Sequence, residues 1–163
     1  MRNPPETAFP VGIMVATGMT QTADYSHRTA VQKLGVVPDQ RVEVAGDLGV
    51  ELRRELREAL GRGFVRSGEL DAAIMLVESV EEAKQAMANF RLRLREDGAL
   101  WLVTWKRGHE RYVNQLHLVP GARELDLIDN KTCSIDDERS AIRLVIPRAL
   151  RADASGRGII GDK

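Results

Sequence analysis

Two short stretches, "AAIMLV" (Ala72–Val77) and "ALWLV" (Ala99–Val103), are apolar at every position. A β-strand with one face in water alternates apolar and polar side chains. A strand buried on both faces loses that alternation and becomes a solid apolar run. Two such runs, each lying between helical patterns, demand a sheet with cover on both sides. They are expected to lie side by side and run parallel, because parallel strands need a crossover that returns over the sheet face.

The rest of the chain reads as alternating helices and strands. Ser26 is a suitable N-cap for a helix with Ala30, Val31 and Leu34 on one face, closed by Gly35. A turn at Pro38 leads to a short strand over Arg41–Gly46. "VELRRELREALG" is the clearest helix, with Leu52, Leu56, Ala59 and Leu60 as its stripe and Gly61 as its stop. "GFVRSG" reads as a brief strand, with a strand–helix unit missing between Ser67 and Asp71. Ser79 caps the next helix, whose seam is Val80, Ala83, Met87, Phe90 and Leu94, and Asp97–Gly98 is expected to end it. Its acidic residues Glu81 and Glu82 suit the positive end, and Arg91, Arg93 and Arg95 suit the negative end. A polar loop, "KRGHER", follows the second apolar run. A helix is expected over Tyr112–Leu118, ending before Pro120 and Gly121. Strands over Leu125–Ile135 and Ala141–Pro147, joined by "DDERS", should form an antiparallel hairpin at or near an edge.

The fold class is therefore α/β: an open, mostly parallel sheet with helices on both faces and a C-terminal antiparallel hairpin. Residues 24–148 are read as one domain. Residues 1–23 are read as a flexible arm or an over-extended gene start, with Met14 and Met19 as alternative starts. Residues 149–163 are read as a disordered tail. A packed extra strand over Val11–Ala16 is the alternative for the N-terminus. The 24 basic and 24 acidic residues cancel, so no broad attraction to nucleic acid or to an anionic membrane is expected. Cys133 is the single cysteine, which rules out a disulfide framework and a cysteine zinc site. A reducing cytoplasm is the simplest compartment, and no apolar run approaches membrane-spanning length.

The order of strands and helices resembles the second half of class I S-adenosylmethionine methyltransferases over roughly residues 36 to 148. More specific strings, "ADYSHRTAVQKLGVVPDQRV", "LWLVTWK" and "LIDNKTCSIDDERSAIRLVIPR", resemble the bacterial domain-of-unknown-function 3052 family. The match lies chiefly at Asp129, Asn130, Lys131, Cys133, Asp136, Ser140, Arg143 and Val145. Arg139 departs from that family, which often has tryptophan there, and the family's proline between the positions of Trp105 and Lys106 is absent. That family has no established activity, so this resemblance implies kinship and fold but no reaction. The methyltransferase-like topology implies a trimmed form of that core.

The functional expectation turns on the strand ends, where open α/β sheets bind ligands. A cofactor-binding turn of this class normally carries clustered glycines, and an acidic residue ends the next strand. Here the turn reads "VEVAGDLGVEL", with Gly46 and Gly49 but no tight cluster, and no well-placed carboxylate follows "GFVRSG". S-adenosylmethionine is therefore disfavoured as a cofactor. The reading is a non-catalytic binding or regulatory module using a cleft formed by Gly46, Asp47, Glu78, Ser79, Trp105 and Lys106, with Asn130 and Lys131 as further ligand contacts. The partner is expected to be a small anionic ligand or a protein. One alternative is a small S-adenosylmethionine-dependent transferase with an atypical cofactor loop. Another is a structural subunit, such as a homodimer, assembling through the closing edge strand. On plain alternation, Asp129, Lys131 and Cys133 share one face of that strand. No catalytic residue and no metal ligand is assigned.

Overall fold

The computed structural model describes residues 28–151. The expectations for Ser26, for the N-terminal arm and for most of the tail lie outside them. Helix α1 (Ala30–Leu34) is short, and its cap is Thr29, whose side chain accepts from the Gln32 N–H while Gln32 answers to the Thr29 N–H. Strand β1 (Val42–Ala45) leads to α2 (Val50–Leu60), which Gly61 ends in the left-handed conformation. Strand β2 (Leu70–Leu76) leads to α3 (Val80–Arg91), capped by Ser79. Strand β3 (Leu94–Trp105) is followed by a long loop, a 3-10 turn (Gln115–Leu118) and α4 (Val119–Glu124). The hairpin β4 (Ile128–Ser134) and β5 (Arg139–Val145) closes the sheet.

The sheet order is β1-β2-β3-β5-β4. The first three strands are parallel, and Ala73 of β2 lies beside Leu100 of β3. Thus the two apolar runs are neighbours and run the same way. Strand β5 returns antiparallel between β3 and the edge strand β4. Successive residues of β3 feed opposite cores. Leu100 and Leu102 pack with α3 residues such as Met87 and Phe90, while Trp101 and Val103 pack with Leu52, Leu56 and Leu60 of α2. That two-sided burial is why both strands lack polar alternation.

The connections β1-α2-β2 and β2-α3-β3 step the same way across the sheet, yet α2 and α3 cover opposite faces. The first crossover does not return over the α2 face: Phe64 packs with the α2 core and Val65 with the α3 core, so the chain rounds the edge of β1 before it enters β2. The chain returns from α2 along residues 61–69 past the outer edge of β1, where the Val65 N–H donates to the Val42 carbonyl. "GFVRSG" therefore forms no strand; one hydrogen bond to β1 is its share of the sheet. Among the described residues no helix is long and apolar enough to cross a membrane.

Three further elements depart from the sequence expectation. The α3 helix stops at Arg91, and "LREDGALWLVTW" is strand throughout. Leu94 is buried, but as the first residue of β3 opposite Leu70, and the next pairing joins Ala99 to Ala72. The residues between them form a bulge. Arg95 in the bulge pairs with Glu69 and Asp71, so neither it nor Arg93 serves the end of α3. The second departure is at Pro120, which starts a helix instead of ending one, at a position where its missing N–H costs nothing. The third is a register shift in β4: Asp129 pairs with Leu144 and Lys131 with Arg143, leaving Asn130 as the extra residue. Asp129 and Thr132 consequently share one face, and Lys131 and Cys133 the other, which corrects plain alternation.

Candidate functional site

The C-terminal ends of the parallel strands carry the residues singled out from the sequence, and they separate into two groups. The first is the turn after β1. Gly46 has φ +76°, and a Cβ there would lie 2.7 Å from the Leu76 carbonyl oxygen. Its lack of a side chain lets the turn pack on β2. Asp47 accepts from the Gly49 N–H and sets the entry to α2. Leu48 is fully buried in the core beneath α2. Ser79 is exposed and caps α3, accepting from the Glu82 N–H, while the Glu78 N–H donates to the Glu82 carboxylate. None of the described cavities is lined by Gly46, Asp47, Glu78 or Ser79.

The second group surrounds the end of β3. The Trp105 indole donates to Glu78 at 3.0 Å and stacks on His109, with ring centroids 4.2 Å apart. Arg111 also donates to Glu78. These contacts hold the Glu78 carboxyl below its ordinary value, the Trp105 indole first and Arg111 second, against the opposing effect of burial. The Lys106 ammonium donates to the Ser134 hydroxyl at 2.8 Å, and its N–H donates to Glu138. Loop 106–112 is thus folded back over the strand end and tied to the hairpin tip.

Beneath this loop lies a cavity of about 370 Å³. Its floor is the sheet itself: Thr104 of β3, Ser140 and Ile142 of β5, Thr132 and Asp129 of β4. Residues 112–116 and Val119 form its roof, and Gln115 donates to the buried Thr104 hydroxyl at 3.0 Å to join roof to floor. Trp105 and Lys106 stand at the rim. An apolar chamber with a few converging polar groups is the usual form of a small-molecule site. Lys131 is on the opposite face, beside Arg143 in a separate cavity, and Asn130 is exposed on the bulge.

The hairpin tip reaches the β1 turn through Arg139, which donates to the Leu48 carbonyl at 2.7 Å and pairs with Asp136. Burial would raise the Asp136 carboxyl. The Arg139 and Glu138 donors outweigh it and hold that carboxyl below its ordinary value. Cys133 is buried in the core under α2. Among the described residues no three His, Cys, Asp or Glu side chains converge as a metal site would require.

A doubly wound fold holds a nucleoside cofactor where strand order reverses, over a glycine turn and beside a carboxylate from the adjoining strand. Among the described residues β1 is the sheet edge, and no described strand beyond it supplies that carboxylate. Gly46 serves packing on Leu76. The residues of this turn do not fit a nucleoside cofactor bound in the usual manner.

The sequence reading missed Thr104, Gln115, Thr132 and Ser140. They come from four separate segments, and although Thr132 and Ser140 lie in the closing string, no spacing in the sequence joins the four. Thr104, the single polar residue inside the run "WLVTW", was an available signal, as was Ser140 in the closing string.

No protein-family model and no curated protein matches the chain. Solved structures do. The chain is similar to magnesium protoporphyrin IX methyltransferase from Synechocystis with bound SAM, at 15% identity and TM-score 0.50, covering 80% of each chain. It is similar to precorrin-6y C5,15-methyltransferase from Geobacter metallireducens at 8% identity and TM-score 0.53, covering 72% of this chain and 85% of that one. A SAM-dependent methyltransferase from Aquifex aeolicus matches at 10% identity and TM-score 0.50, over 72% and 87%. At such identities the likeness is one of fold: the chain has the α/β architecture of S-adenosylmethionine-dependent methyltransferases.

Proposed function

We propose that this protein binds a small molecule in the cavity beyond β3 and acts as a small transferase that takes S-adenosylmethionine there, away from the β1 turn. The cavity carries this reading. It is an open hollow beside the end of β3, it is lined by apolar side chains together with Thr104, Ser140 and Asn114, and Gln115 ties its roof to its floor. The methyltransferase names of the similar folds, one with SAM bound, favour this chemistry over a purely regulatory one. The kinship with the domain-of-unknown-function 3052 family belongs to the same proposal and adds no reaction. A second reading, binding without catalysis, is favoured by one observation: the β1 turn is closed against Leu76.

Titration calorimetry with S-adenosylmethionine and S-adenosylhomocysteine decides between them. The transferase reading expects binding of either one, abolished in Thr132→Trp, which fills the cavity from its floor. No heat with either at millimolar concentration sinks the transferase reading. A different small molecule co-purifying in the cavity would then establish the regulatory one.

A further inference from the structure

At the opposite edge of the sheet, a cavity of about 460 Å³ opens between β1, α2 and the returning segment 61–69. Arg53, Arg57, Phe64 and Arg66 line it, with Glu43 and Val44 of β1 behind them. Arg53 and Arg57 are one helical turn apart on α2, and both guanidiniums converge on the Phe64 ring at 5.5 Å. Like charges at that spacing repel. Among the described residues no carboxylate forms an ion pair with either, or with Arg66.

The neighbouring arginines are treated otherwise. Arg54 is held between Glu51 and Glu58, Arg95 meets Glu69 and Asp71, and Arg139 meets Asp136. Glu43, the single acid in the cavity wall, is paired with Arg93 at 2.8 Å, so it leaves the three cavity arginines uncompensated. A sequence whose charges sum to zero thus gathers three unmatched guanidiniums around one hollow. Guanidinium forks match phosphate and carboxylate groups two bonds at a time. Phe64 gathers the two helix guanidiniums by cation–π attraction but supplies no countercharge, and local departures of this kind are expected at functional sites.

We propose that this β1-edge cavity is a binding site for a compact multivalent anion carrying phosphate or carboxylate groups, held by Arg53, Arg57 and Arg66. It is separate from the cavity beyond β3, and its truth does not depend on the transferase reading. The probes are inorganic pyrophosphate and citrate, titrated calorimetrically into the full chain at low and high salt. Binding of at least one is expected, weakening with salt and falling roughly ten-fold or more in the Arg53→Gln/Arg57→Gln double variant. Arg54→Gln, whose charge is already matched, should bind as the unaltered protein does. Both α2 positions reach solvent, so the double variant should keep its thermal midpoint in the absence of anion. Binding of pyrophosphate alone assigns a phosphate ligand, and of citrate alone a carboxylate one. No binding of either at millimolar concentration, or equal loss in Arg54→Gln, overturns the proposal.

Discussion

At the scale of single residues, Gly46 and Glu78 carry opposite lessons. Both were picked out from the sequence as ligand contacts, and the fold gives each a structural task. Gly46 has positive φ and no room for a Cβ against the Leu76 carbonyl. Gly46→Ala should lower stability by about 1–3 kcal/mol in a denaturant titration and leave binding in the cavity beyond β3 unchanged. Glu78 accepts from Trp105 and Arg111, and its carboxyl sits below the ordinary value of 4.5. A depressed carboxyl means that the folded chain binds the proton less readily than the unfolded one. The stabilisation is then complete above pH 4.5 and fades as pH falls through the lowered value. Urea midpoints of the unaltered protein and Glu78→Gln should therefore differ most near neutrality and converge in acid. A gap that widens in acid would show that the Trp105–Glu78–Arg111 contact is not the source.

At the scale of elements, glycines again separate what is tight from what is tolerant. Gly98 lies in the bulge of β3, where a Cβ would meet the carbonyl oxygens of Asp71 and Leu70 at 3.0 Å. Gly98→Ala should cost about 1–3 kcal/mol, because backbone cannot yield as a side chain can. Gly121 is inside α4, and its nearest neighbours would be the flexible Lys84 and Met87 side chains at 3.4 Å. Gly121→Ala should be neutral, or stabilising by up to about 1 kcal/mol through helix propensity. Thermal melts of the two variants should move in different directions or by clearly different amounts. The same pair of elements shows where local reading fails. Leu94 fits the helical spacing of Val80, Ala83, Met87 and Phe90, yet it is strand, because the buried side of β3 faces the same core as α3. Periodicity reported burial correctly and conformation wrongly. Pro120 was read as a stop because proline ends helices, and it also begins them.

At the scale of the molecule, one sheet divides two cores, so damage on either side should be felt by the whole. Leu100→Ala and Leu56→Ala each remove a fully buried side chain, one from each core, and each should cost about 2–5 kcal/mol. The two losses should add in the double variant, within a single unfolding transition. Two separate transitions would mean that the layers fold independently. The α/β class, the parallel pairing of the two apolar runs and the closing hairpin were all legible in the sequence. Burial on both faces and short-range periodicity are written into neighbouring residues, and physics leaves such runs few places to go. The passage of residues 61–69 round the outer edge of β1 was not legible, nor was the place of β1 at the edge of the described sheet. Both depend on which face a helix chooses, and a stripe of leucines fits either face equally well. The candidate sites were illegible for the same reason. Thr104, Gln115, Thr132 and Ser140 meet only because three strands and a roof converge. Arg53, Arg57 and Arg66 look like ordinary surface charge until the fold draws them around one cavity, with no acidic partner for them among the described residues. Sequence determined which residues leave water; tertiary structure decided which of the remainder face one another, since that juxtaposition is a property of long-range packing and of no local segment.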